Sequence, residues 1–184
     1  VVAGHTTSAA NYIRLTSATG QSFQDHANVR TNALFYNQSN GVGISASPFA
    51  APLIDVQNDY VEVRRLQFKR TANSYEEAVA QFSTGLANSF IKDCIVAKTF
   101  SADSVVVNLR ESGAINVLAY DTGGGASSGF ALLNVGITPT VLNCTSVRSS
   151  ALGAGGTGFN ASATYTTSIA KNCASFGWTT AFTA

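Results

Sequence analysis

The ionisable side chains of this chain crowd into one stretch, and chemistry would have to be sought there first. Between Asp55 and Glu77 stand Asp55, Asp59, Glu62, Arg64, Arg65, Lys69 and Arg70. Acids and bases mixed at this density offer proton transfer or plain ion pairing. Elsewhere carboxyl groups are sparse, and those in the later part of the chain, such as Asp93, Glu111 and Asp121, are spread along it. Glycoside hydrolysis needs two carboxyl groups facing each other across a groove. No such pair can be assembled from these spacings. Both histidines, His5 and His26, lie near the start of the chain, and no G-x-S-x-G elbow supplies a nucleophile. A loop or cap role is expected for each.

Metal and cofactor motifs are missing as well. No D-x-D-x-D-G calcium loop is present. Cys94, Cys144 and Cys173 are an odd set, which is no disulfide framework, and their spacing does not suit zinc. They read as small buried hydrophobes. The stretches "DTGGGASSG" and "ALGAGGTG" lack the lysine and the following helix of a phosphate loop. No cofactor and no metal is expected. Aromatic residues make the better binding argument. Tyr120, Tyr165, Phe176, Trp178 and Phe182 fall late in the chain. Tyr120, Tyr165 and Trp178 are the candidate glycan or interface contacts, because an aromatic face can stack on the apolar face of a sugar. The sequons at Asn37, Asn143 and Asn160 matter only in a secreted eukaryotic protein.

Composition bounds the partners. Of 184 residues 45% are hydrophobic and only 11% are charged, with a net charge of +1. Ordinary soluble domains carry about 25% charged residues. So weak a field excludes electrostatic capture of nucleic acid or of an anionic membrane. No apolar run is long enough to form a membrane-spanning helix. The chain has no methionine and no signal-peptide layout at its start. It is therefore expected to be processed or to be a piece of a longer polypeptide.

The elements that would position these groups repeat. Lines beginning at Leu53, Ala78, Ser104, Gly129 and Gly158 recur every 25–29 residues. Each opens on a short apolar strand, such as Val105–Leu109 or Phe130–Val135. A turn follows, then a second strand: Val61–Phe68, Phe90–Val96, Ala114–Tyr120, Val141–Val147 or Ile169–Phe176. Short segments rich in β-branched residues and bounded by turn formers are strands. A period in the twenties with two or more strands per repeat predicts a β-solenoid, whose coils stack at about 4.8 Å. Residues at equal places then form columns. Leu66, Cys94, Val117, Cys144 and Cys173 fall in one column, expected to point inward. Arg65, Asp93, Asn116, Asn143 and Asn172 fall in the next, expected to point outward by strand alternation. Arg65 and Asp93 become neighbours there. An exposed ion pair is the plain reading of that contact, and a catalytic pair is the sharper one.

Two segments fit less cleanly. "SYEEAVAQF", from Ser74, places Glu77 three residues after a serine, like a capping box. A turn leading into a strand is expected there instead, because Thr84 and Gly85 arrive too soon for a long helix. In residues 1–52, "NYIRLTS" (11–17), "NALFYN" (32–37) and "GVGISAS" (41–47) read as strands of earlier coils or as an irregular cap. Such an open end needs covering. Residues 53–184 read as the continuous run of coils.

The strands "VLNCTSV" and "IAKNCASFG", with "FIKDCIVA" and "INVLAYDTG" in register, resemble those of right-handed parallel β-helices of the pectate-lyase-like superfamily. The wording of the coils is most similar to β-helix proteins encoded by phages and prophages. The resemblance covers the chain from about Leu53 onward and implies an all-β parallel β-helix. Enzymes of that superfamily abstract a proton with Arg or Lys beside calcium-binding carboxylates, which makes Arg65 and Asp93 the catalytic candidates. Its hydrolases carry Asn-Thr-Asp, Asp-Asp and Gly-His-Gly signatures, none of which occurs here. The fold hosts many functions. The expected role is therefore a non-catalytic structural component of a phage particle, such as a decoration, fibre or tail protein. Its expected partners are itself, as a trimer or lattice, and other virion proteins. A virion or extracellular location follows. A polysaccharide lyase or hydrolase and a glycan-binding adhesin are the alternatives.

Overall fold

A computed structural model gives the fold. It describes residues 1–26, 34–47, 51–71, 78–83, 86, 88–101, 104–125, 127–133, 138–152, 155–161 and 168–183. The segment from Ser74 to Glu77 and the side chain of Tyr165 lie outside the described residues.

Among the described residues, eighteen short strands form three parallel sheets of six. In spatial order the first sheet holds β1 (Ile13–Thr16), β4 (Val61–Arg64), β7 (Phe90–Lys92), β10 (Gly113–Ile115), β13 (Thr140–Leu142) and β16 (Ile169–Lys171). The second holds β2 (Gly43–Ala46), β5 (Gln67–Arg70), β8 (Ile95–Lys98), β11 (Leu118–Asp121), β14 (Thr145–Arg148) and β17 (Ala174–Phe176). The third holds β3 (Ile54–Val56), β6 (Ala80–Phe82), β9 (Val105–Arg110), β12 (Ser128–Leu133), β15 (Thr157–Ala161) and β18 (Thr180–Thr183). The chain visits the three sheets in turn and then starts the next coil. This is the β-solenoid that the repeat predicts. Residues 11–17 and 41–47 contain β1 and β2, the first strands of their sheets. Residues 34–37 form no strand.

The expected columns are present. Register along the sheets aligns Leu66 with Cys94, Val117, Cys144 and Cys173. The first four are 0–2% exposed, and Cys173 packs on the core from the last coil.

The neighbouring column needs a correction. Each predicted second strand is two strands with a bend between them. Arg65, Asp93, Asn116, Asn143 and Asn172 sit at that bend with φ of 51–57°. They lie outside the core because the chain turns there, not because they alternate along one strand. One left-handed residue redirects the chain from the first sheet to the second without breaking the ladder. The N–H of Arg65 still bonds to Lys92 O, Asp93 to Ile115 O, Asn116 to Leu142 O and Asn143 to Lys171 O. Asparagine and aspartate enter this conformation at least cost among residues with a side chain, which explains their prevalence. A second column of the same kind, Tyr60, Asn88 and Glu111, turns the chain into the first sheet.

The core is narrow and layered. Phe130 stacks on Phe159, and Phe159 on Phe182, each with ring centroids 4.9 Å apart. That spacing matches the coil repeat of about 4.8 Å, so the rings repeat with the backbone. Opposite them the core has room only for small groups. A Cβ at Gly129 would meet Ser146 Oγ at 1.8 Å, and one at Gly158 would meet Ser175 Oγ at 2.0 Å.

Candidate functional site

Strand alternation places the side chains of the first sheet. Val61, Val63 and Ile91 are buried, so Glu62, Arg64, Phe90 and Lys92 point outward. Parallel register brings Arg14 on β1 beside Glu62 and Arg64 beside Lys92. A compact ionic network results. Arg14 Nε donates to Glu62 Oε2 at 2.8 Å. Arg64 Nη1 and Lys92 Nζ approach Glu62 Oε1 at 3.6 and 3.5 Å. Arg64 Nη2 lies 3.7 Å from Asp93 Oδ2.

Aromatic rings flank this network. The Arg14 guanidinium lies 4.8 Å from the Tyr12 ring centroid, and Lys92 Nζ lies 4.9 Å from that of Phe90. The Phe90 ring lies against Gly113, where any Cβ would meet its Cδ1 at 2.5 Å. Together with Tyr60 and Asn88 these residues line a shallow cavity of about 260 Å³. Partial burial pulls the Glu62 carboxyl up, but the Arg14 hydrogen bond and the Lys92, Arg14 and Arg64 charges outweigh it and hold the carboxyl below its ordinary value. An ionised carboxylate with both oxygens engaged is neither a general acid nor a free base. The face presents cations and ring surfaces to a ligand.

Arg65 and Asp93 are adjacent in the bend column but pair elsewhere. Arg65 Nη2 lies 2.7 Å from Asp25 Oδ1 and donates to Ser22 Oγ at 3.0 Å. Asp93 Oδ1 accepts from Asn116 Nδ2 at 3.0 Å. The backbone N–H and hydroxyl of Ser22 hold the Asp25 carboxyl below its ordinary value, with Arg65 helping. Arg65 thus pins the inserted segment that carries a short helix, Phe23–His26. The sequence hid this contact because Asp25 lies far from Arg65 along the chain.

Two of the aromatic candidates are also engaged. Tyr120 Oη accepts from Tyr36 N at 2.9 Å, and burial raises its phenol above the ordinary value. Trp178 packs on the Arg148 guanidinium, 5.5 Å from its ring centroid. Neither ring borders the first-sheet cavity. The rings of the residues that do, Tyr12, Tyr60 and Phe90, did not emerge from the sequence. The signal was an aromatic residue alternating with a charge, as in Tyr12-Ile13-Arg14 and Phe90-Ile91-Lys92.

A second charged array lies inside. Arg70, Lys98, Asp121 and Arg148 align at the ends of β5, β8, β11 and β14, and all are buried. Lys98 Nζ and Arg148 Nη1 each lie 3.5 Å from Asp121 Oδ2. Lys98 also donates to Gly124 O and Ser127 Oγ, and Arg148 donates to Gly125 O. Each member stands four residues after the Leu66–Cys173 column, so this array was legible in the repeat.

Among the described residues no group of three or more His, Cys, Asp or Glu side chains is placed to hold a metal ion. No helix among them is long and apolar enough to cross a membrane. No protein-family model, curated protein or solved structure matches the chain.

Proposed function

We propose that the protein is a non-catalytic structural building block, a β-solenoid component of a phage particle such as a decoration, fibre or tail element. One observation carries the non-catalytic part. Asp25, Glu62, Asp93 and Asp121 are each held by a cation or by an amide or hydroxyl donor. Charges consumed this way brace coils rather than turn over a substrate. The three ladders make the body stiff, because each coil is bonded along its length to its neighbours. The particle assignment adds the likeness of the coils to phage and prophage β-helices of the pectate-lyase-like kind, and it carries a virion or extracellular location with it. Mass spectrometry of purified particles from the producing strain tests it. Peptides of this chain at stoichiometric levels are expected. Particles that lack the chain, with the protein free in the same lysate, would overturn the reading.

A second reading, a glycan-binding adhesin, is favoured by the first-sheet cavity. Tyr12 and Phe90 bring ring faces, and Arg14 and Lys92 bring cations suited to an acidic sugar. Calorimetric titration with acidic oligosaccharides tests it. Phe90→Ala and Lys92→Ala should each weaken binding, and unsaturated or reducing-end products should not accumulate. Product formation that is lost in Arg65→Ala would instead support a lyase.

A further inference from the structure

We propose that Glu62 is the resident counter-ion of the first-sheet cavity, and that its charge sets how tightly and how selectively the cavity holds an acidic sugar. This role presupposes the glycan-binding reading and names what governs the same site. Register seats Glu62 between Arg14 and Phe90 on the outer face of the sheet. Its side chain is 14% exposed, against 41% for Arg14, 32% for Arg64 and 31% for Lys92. The acid therefore lies beneath, and the cations lie at the mouth.

The cations keep donors for a ligand. Arg14 is held through Nε, and among the described residues its two Nη groups donate to no protein atom. Lys92 Nζ approaches Glu62 Oε1 at 3.5 Å, and an ammonium carries three donors. Arg64 divides its two Nη groups between Glu62 and Asp93. Three cations thus meet two carboxylates, and of the three Asp93 pairs with Arg64 alone. Glu62 carries its charge at neutral pH, because its carboxyl is held below the ordinary value. An acidic group that settles on Arg14 and Lys92 comes to rest facing that charge.

Glu62 has two opposed effects on such a ligand. It draws the cations together, and it repels the anion they would bind. Glutamine separates the two effects. Its carbonyl still accepts from Arg14 Nε, so part of the arrangement survives while the charge is lost entirely. A unit charge about 4 Å away changes binding about fivefold even at the dielectric of water, and more beside a mostly buried side chain. A neutral sugar is indifferent to that charge. The cavity therefore separates acidic from neutral sugars less sharply than its three cations alone would.

Calorimetric titration of the full chain with a glucuronic acid trisaccharide, and with the same sugar reduced to its neutral alcohol, tests this role. Glu62→Gln should bind the acidic form about fivefold more tightly or better and leave the neutral form unchanged. Binding of the acidic form by the variant alone would support the role equally. Circular dichroism confirms that the variant is folded. If Glu62→Gln does not fold, Glu62→Thr, also neutral and suited to a strand, decides. Weaker or unchanged binding of the acidic form, beside measurable binding by the wild type, overturns the role of Glu62 and leaves the glycan-binding reading standing. Equal tightening of both forms overturns it too, because the effect would not be one of charge. Absence of binding by wild type and variant alike overturns both.

Discussion

Replacing Asp121 by asparagine should cost a large share of the protein's margin of stability. The carboxylate is fully buried. Its Oδ2 faces Lys98 Nζ and Arg148 Nη1 at 3.5 Å each and accepts from Ser127 Oγ at 3.0 Å. Its Oδ1 accepts from Gly123 N at 2.9 Å. Asparagine keeps the shape and the Gly123 bond, but it turns Oδ2 into an amide donor aimed at three other donors. Both cations keep their carbonyl partners, Gly124 and Gly125, but they lose the neutralising charge. Removing one member of a buried charge pair costs about 3–5 kcal/mol. Whole domains are stable by only about 5–15 kcal/mol. Urea unfolding followed by far-ultraviolet circular dichroism reads the loss. Arg148→Met measured alone and with Asp121→Asn should show a coupling of about 0.5–3 kcal/mol. A loss below about 1 kcal/mol, the range of exposed ion pairs, would refute the reasoning. Strict additivity of the two changes would refute it equally.

Phe159→Ala should destabilise by about 3–5 kcal/mol in the same assay, since it removes the middle ring of the buried stack. Phe182→Ala, at the exposed end, should cost clearly less. Gly129→Ala should cost about 1–3 kcal/mol by driving a methyl group into Ser146. Asn143→Val should lose about 1–2 kcal/mol and Asn143→Gly should not, because the bend needs a left-handed backbone. The Cys94 and Cys144 thiols are pushed up to about 12 by burial, so they stay protonated and should be unreactive to a thiol probe at pH 8 (roughly half a unit below an ordinary thiol pKa). Folding raises these pKa values, so their contribution to stability is full below 9.0 and is lost as pH climbs from there toward about 12. An alkaline melt that shows no such decline would count against their burial.

Much of the architecture could be read from the chain. Five lines of 25–29 residues placed Leu66, Cys94, Val117, Cys144 and Cys173 in one column. Their alignment followed because parallel in-register stacking turns a sequence period directly into a spatial position. The bend beside that column was misread as strand alternation. Asn-Cys and Asp-Cys pairs fit an extended strand and a left-handed turn equally well, and only the backbone dihedrals separate them. The site was less legible. Arg65 and Asp93 were found as neighbours, yet Arg65 pairs with Asp25 on the insert and Asp93 with Asn116, the next residue of the bend column.

Composition and periodicity settled that this chain must wind into stacked parallel strands around small apolar side chains. Nothing else buries that pattern while leaving so few charges outside. The coordinates decided which charges meet. Arg14 reaches Glu62 across 48 positions, and Arg65 reaches Asp25 across 40. The first contact depends on β1 pairing with β4, the second on where the stretch between β1 and β2 lies. That stretch follows no repeat, so only its packing against the sheets places it.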